Sequence, residues 1–449
     1  MREGPEGSQI MKICIKNGRI IDPQSGMDGV GDVCINGALI ESIGQSNGAF
    51  AADLTVDAQT HWVLPGLVDL SVRVMEPGLE HEGMLASEML ACVAGGVTSL
   101  VCPPDTDPTL DEPGLVEMLK FRADQLQLSR LFPLGALTKS LAGETLSEML
   151  ALTQAGCVGF SQADQVVKDT HVLQRAFTYA STFGYTVWLH PSDYYLGRGV
   201  AASGALALRM GLSTVPAASE TISLNTIMAL MRGSGARVHL SRLSSSHGVE
   251  LVKAAKAEGL PLTCDVSINS LHLSEMDMGY FDSRARVTPA LRQSKDRDAL
   301  RLGLLNGVID ALVSDHNPVP GDLKTLPFAQ STPGASGVEL LLSLTYKWCK
   351  EMGFDEVQGL QVVTSKPGSI LNQALTLHQE HTPNFAPGEL KVGALADICI
   401  FDPHETWSVS PSELKSQGKH TPFDFEMSGS AMTGRVKKTF VKGRLVYSD

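Results

Sequence analysis

Three residues of one short stretch could do chemistry together. In Leu64–Gly78, LPGLVDLSVRVMEPG, Asp69, Ser71 and Arg73 alternate with Val68, Leu70, Val72 and Val74. That period of two is the pattern of a strand. One face is apolar and packs on helices; the other offers a carboxylate, a hydroxyl and a guanidinium. Such a face suits a pocket floor and a solvated edge equally well. Further along, WLHPSDYYLG carries His190, and LVSDHNP carries Asp315 and His316. Imidazoles and carboxylates bind zinc, and bound zinc polarises an amide carbonyl and activates water. His190 and Asp315, however, are only two ligands on separate strand-like runs, and zinc sites take three or four from the protein. Arg73 cannot join them, because a guanidinium keeps its proton and has no lone pair to donate. The eight cysteines form no C-x-x-C pair. Most lie in apolar segments (Cys14, Cys34, Cys102, Cys157, Cys264, Cys399) and read as reduced core residues of a cytoplasmic protein.

The elements that must position these groups repeat. Strand-like runs fall near 66–74, 97–102, 131–137, 156–161, 184–190, 236–242, 260–266 and 308–314. Helical stretches lie between them, among them Glu82–Ala94, Glu112–Gln127, Thr170–Phe183, Ser219–Met231, Ser246–Glu258 and Asp296–Leu304. Eight strand–helix repeats without a central linker predict a (β/α)8 TIM barrel, with active groups at the C-terminal ends of the strands. Two doubly wound domains are the alternative. The chain ends read differently. KICIKNGRII, GDVCINGALIESIG and LTVDAQTHWVL at one end, and GALADICIFDP, ETWSV and GRVKKTFVKGRLVY at the other, are short alternating runs with turn signals. They predict one small β-sandwich from 10–63 plus 385–449 around a barrel at 64–384, after a disordered tail at 1–9. The Pro- and Gly-rich stretch that opens Asn317–Leu344 follows the eighth strand and is a candidate lid.

Composition bounds the rest. At 449 residues, 43% hydrophobic and 19% charged, the chain is an ordinary globular protein. Its net charge of −13 argues against nucleic acid and anionic membrane as partners. No apolar run approaches the ~20 residues of a membrane span, and MREGPEGSQI has no signal-peptide core.

The stretch PGLVDL…EPG resembles the first barrel strand of cyclic amidohydrolases, specifically dihydroorotases. GGVTS, the DH-P run, TPG-SGVEL, VGALAD and the TPF-containing tail extend the resemblance over roughly residues 11–447. It implies a zinc-dependent hydrolase of cyclic amides, yet its functional positions have changed. Ser71 and Arg73 stand where that family has a pair of zinc histidines, and Met75 stands for its substrate-gripping arginine. Asp105 and Thr288 replace two substrate-contacting asparagines. After the fourth strand, where some members carry a metal-bridging aspartate, Ser161 is followed by Gln162 and Ala163. Arg242 replaces one metal histidine, and Asn269 and Ser270 another pair. Only His190 and Asp315, with His316 beside it, remain; any metal would fall to His190 and Asp315. A rearranged site would have to recruit His316, His272 or Cys264.

The resemblance therefore implies a catalytically inactive homologue without zinc or other cofactor, of the kind that serves as a structural subunit of bacterial aspartate carbamoyltransferase. A homo-oligomer within pyrimidine biosynthesis is the corresponding expectation. The alternative is an active dihydroorotase, or a hydrolase of another cyclic amide, with a rearranged site. One further expectation concerns charge. Losing zinc would leave Asp315, Asp69 and Asp105 without a cation, and Arg73 and Arg242 could supply it by pairing with Asp315 or another pocket carboxylate.

Overall fold

The computed structural model describes residues 11–44, 50–376 and 384–449. The tail expected to be disordered at 1–9 lies outside these residues. The fold is a TIM barrel joined to a β-sandwich made from both chain ends. Eight barrel strands are built on Leu67–Asp69, Val97–Cys102, Arg130–Pro133 with Gly135–Ala136, Phe160–Ser161, Thr186–Leu189, Arg237–Leu240, Leu262–Ser267 and Ala311–Val313. Runs such as VTSLVC and TVWL are buried at every residue, as parallel strands covered by helices must be.

The third strand joins two arcs of the barrel. Arg130–Pro133 pairs with Val97–Cys102, whereas Gly135–Ala136 pairs with Phe160–Ser161. The barrel closes between its first and eighth strands. Val72 bridges His316, the His316 N–H donates to the Ser71 carbonyl at 3.2 Å, and the Arg73 N–H donates to the His316 carbonyl at 2.9 Å. The first strand is shorter than its alternation predicts. Its ladder stops at Asp69, whose buried carboxylate accepts the N–H groups of Ser71 (3.2 Å) and Ser314 (3.3 Å) in place of a regular strand contact. Pairing resumes at Val72.

Side-chain caps hold two of the flanking helices at the boundaries read from the sequence. Asp169 caps Thr170–Phe183 through the His171 N–H, and Ser245 caps Ser246–Glu258 through the Gly248 N–H. The EPG motif is structural. Glu76 accepts the N–H of Leu85 at 2.8 Å, at the start of the helix Leu85–Ala94, and pairs with Arg122 at 2.6 Å. Gly78 has φ +92°, and a Cβ there would meet the Asp107 carbonyl oxygen at 1.6 Å, so only glycine fits.

Both chain ends enter one eight-stranded mixed sheet. Its order is Arg444–Ser448, Met432–Val441, Ile398–Trp407, Trp62–Pro65, Lys12–Asp22, Met27–Asn36, Leu39–Gly44, with Leu54–Asp57 also pairing Lys12–Asp22. Ile13, Ile15, Val33, Ile35, Ile398, Ile400 and Phe440 form its own core. The stretch read as a lid instead packs as a wall: Val319, Phe328 and Ala335 are buried, and the Lys324 ammonium donates to the carbonyls of Ser283 and Arg286. No helix among the described residues is long and apolar enough to cross a membrane.

Candidate functional site

The barrel mouth is filled by a chain of ion pairs. Arg73, after the first strand, donates from Nε to Asp105 at 2.9 Å and from Nη2 to Asp164 at 2.9 Å. Arg242, after the sixth strand, donates from Nη2 to the other oxygen of Asp164. Its Nη1 reaches Asp315 and the carbonyl of Thr288, each at 3.2 Å. Asp164 therefore bridges the two guanidiniums, one to each of its oxygens. Two arginines and three aspartates are knitted together across the ends of five strand–loop units. Both arginines are buried, whereas Asp105 and Asp164 keep partial contact with solvent.

The backbone turns sharply to aim these groups inward. Met75, Ala163, Arg242 and Asp315 all have positive φ, between 50° and 59°. A non-glycine residue there costs on the order of 1–3 kcal/mol and persists only where its surroundings over-determine it. Here they do for Arg242. Its N–H donates to Asp265 at 2.7 Å, and Asp265 is in turn fixed by His239 at 2.9 Å.

The electrostatics follow from this arrangement. Burial alone would raise the Asp164 carboxyl, but Arg242 and Arg73 outweigh it and hold the group well below the usual carboxylate range. Burial dominates at Asp315, which rises to about 6 despite the same two arginines, and at Asp69, which rises to about 7. His190 is pushed down to about 4, first by burial and then by Arg242, so it is neutral. Its Nδ1–H donates to the Ser241 carbonyl at 3.1 Å, which leaves Nε2 as a free acceptor.

The structure brings Arg73, Asp105, Arg242 and Asp315 into one network, with Thr288 contributing only its carbonyl. The expected pairing of the arginines with pocket carboxylates is present at both. Met75 is buried and apolar, and Ser71 engages only its neighbours' backbone and Asp69. Asn269 and Ser270 are buried on the short helix Ile268–His272, and neither arginine hydrogen-bonds to them. His316, counted above with the pocket, belongs instead to the barrel seam. Its Nε2 meets Glu88 at 2.7 Å and its Nδ1 accepts the Gly337 N–H. Sequence reading missed Asp164, the centre of the network. The run SQAD carries the signal, with Asp164 directly after Ala163.

These residues do not fit a metal. Two guanidiniums fill the space, and no three His, Cys, Asp or Glu side chains converge to hold an ion among the described residues. The rearranged set does not assemble either. Cys264 donates to the Val308 carbonyl, His272 lies edge-on to Phe423 with both ring nitrogens unpartnered, and His316 is tied to Glu88.

Solved structures share this architecture. An L-hydantoinase (dihydropyrimidinase) from Arthrobacter aurescens superposes with a TM-score of 0.84 at 23% identity, covering 98% of this chain and 96% of that one. A D-hydantoinase gives 0.78 at 22% identity, with 98% and 96% covered. At that identity the likeness defines the fold. Sequence carries it further. An amidohydrolase family model matches residues 199–446, and a dihydro-orotase-like model matches residues 60–248. A dihydroorotase-like protein of Pseudomonas putida is 39% identical over 438 residues, 97% of this chain and 99% of that protein. A dihydroorotase of Geobacter sp. (strain M21) is 34% identical over the same length, with 97% and 99% covered. The chain belongs to the amidohydrolase family, among its dihydroorotase-like members.

Proposed function

We propose that this protein is a catalytically inactive dihydroorotase-like barrel of pyrimidine biosynthesis that serves as a structural subunit for aspartate carbamoyltransferase. One observation carries the inactivity. The mouth where hydrolysis of a cyclic amide needs a Lewis acid and a metal-activated water holds the Arg73–Asp164–Arg242 bridge instead. Asp315 is engaged by Arg242, so it does not stand free as a general base. The neutral His190 is an imidazole of that mouth, and no three ligating side chains converge there among the described residues. The network also supports the scaffold role, because it ties five strand ends together without an ion and gives a rigid surface. The named partner rests on the resemblance of the whole chain to the non-catalytic homologues of such assemblies. Self-association into a homo-oligomer belongs to the same reading.

The test is to mix the protein with the aspartate carbamoyltransferase of its own host and run size-exclusion chromatography. Dihydroorotate and carbamoyl aspartate interconversion is assayed on each fraction. Co-migration without turnover is expected. Independent migration, with a transferase fully active alone, contradicts the scaffold role; turnover by this chain contradicts the inactivity.

A further inference from the structure

Beside the filled mouth lies a cavity that the arginine network does not enter. Its volume is about 150 Å³, and it is walled by the loops after the fourth and fifth strands and by the helices Thr170–Phe183 and Ala217–Ser234. Leu173, Leu189, Ile222 and Ile227 give it an apolar lining. An apolar space of roughly this size is large enough for one benzene ring. At one side stands His190, with Nδ1 committed to Ser241 and Nε2 without a hydrogen-bond partner among the described residues.

Positive charge gathers at Tyr194: Lys168 lines the cavity with it, and Arg198 packs on the same ring from beside the lining. The Lys168 ammonium lies 3.9 Å from the centroid of the Tyr194 ring, and the Arg198 guanidinium lies 4.1 Å from the same ring. Two cations thus flank one tyrosine, and neither has a carboxylate partner within salt-bridge distance among the described residues. Two acids lie close by, Asp193 in the cavity wall itself, each with one carboxylate oxygen engaged by backbone N–H groups. Asp193 accepts the N–H groups of Tyr195 and Leu196, both at 2.9 Å, and Asp169 accepts that of His171 at 2.8 Å. Two cations converging on a ring at the lip of an apolar cavity complement an anion with an apolar body.

We infer that this cavity, bounded by His190, Leu173, Ile222 and Tyr194, with Lys168 in its wall and Arg198 packed on Tyr194 beside it, binds a small carboxylate bearing an aromatic or branched aliphatic body. The apolar body enters between the two helices. The carboxylate remains at the lip, where Lys168 and Arg198 turn from the tyrosine faces to receive it. A donor on the body, if present, meets His190 Nε2. The cavity shares His190 with the barrel mouth, but no member of the arginine network lines it, so its binding is read without reference to hydrolytic activity.

Benzoate is the probe, and benzyl alcohol, of similar size and uncharged, is the control. Titration calorimetry and saturation-transfer NMR on the full chain read binding. Benzoate is expected to bind saturably and at least about tenfold more tightly than benzyl alcohol, the scale of one charge-assisted contact. Replacing both cations (Lys168→Ala with Arg198→Ala) should remove that preference and leave the weak binding of the alcohol intact. Ile222→Trp, at a position 47% exposed and so tolerant of a larger side chain, should abolish binding of both. Phenyl phosphate separates a general anion site from a carboxylate site: weaker binding than benzoate supports the assignment, and tighter binding overturns it. No saturable benzoate binding, equal affinity for the two probes, or benzoate affinity unchanged by the double substitution would each overturn it. None of these readouts involves turnover, metal or the transferase.

Discussion

Arg242 shows how one guanidinium can organise a barrel mouth. Its guanidinium touches Asp164, Asp315 and the Thr288 carbonyl while almost fully buried. Removing it leaves the buried Asp315 without its ion-pair partner and Asp164 with Arg73 alone. Arg242→Ala should therefore destabilise the fold by about 3–5 kcal/mol, the usual cost of breaking a buried pair from one side. Arg242→Lys should recover only part of this, since an ammonium cannot span Asp164 and Asp315 as a planar fork does. Equilibrium denaturation of both variants checks the claim; an Arg242→Ala protein as stable as the parent would refute it. The same network makes a pH prediction. Asp315 is raised to about 6 in the fold against about 3.9 in the unfolded chain. Its contribution is thus fully present below about pH 3.9 and lost as pH rises through 6. Asp164 is depressed, so its contribution is present above its unfolded value and lost as pH falls below it. Asp315→Asn should flatten the decline in thermal stability between pH 4 and pH 7. Parallel curves for variant and parent would show that Asp315 does not titrate as described.

Single elements are held by carboxylates that the alternation of apolar residues does not reveal. Glu88, on the helix Leu85–Ala94, accepts from His316 at 2.7 Å, Ser416 Oγ at 2.6 Å, the Gln417 N–H at 2.9 Å and Ser87 Oγ at 2.8 Å. It joins the first barrel helix, the closing seam and the C-terminal segment in one clasp. Glu88→Gln turns one acceptor into a donor facing donors, and should cost about 2–4 kcal/mol. Hydrogen exchange should rise first around residues 414–418; unchanged protection there would show that the clasp does not hold that segment. The contrast with the sequence reading is instructive. Helices such as Thr170–Phe183 and Ser246–Glu258 were legible because their caps and glycine stops are local. The first strand was over-read because Asp69 ends its ladder through Ser314, which is 245 positions away. Asp164 and Glu88 escaped notice for the same reason: their partners are assembled only by barrel closure. Arg73 and Arg242 were legible because a cation standing among stranded carboxylates has few other places to go.

At the scale of the whole molecule, the barrel and the sandwich keep the frame of the amidohydrolase family, and the mouth is held together by guanidiniums. A metal ion organises several strand ends from a single point. Here two guanidiniums and a bridging Asp164 do so from two. With the strand ends held this way, a chelator is expected to leave the thermal unfolding midpoint unchanged. The most direct measurement is the zinc content of the chain purified without chelators and then dialysed against free zinc. Far less than one zinc per chain is expected, because Arg73 and Arg242 fill the mouth and no three ligating side chains converge there among the described residues. Close to one tightly held zinc per chain, released only by a chelator, would contradict the account at its centre.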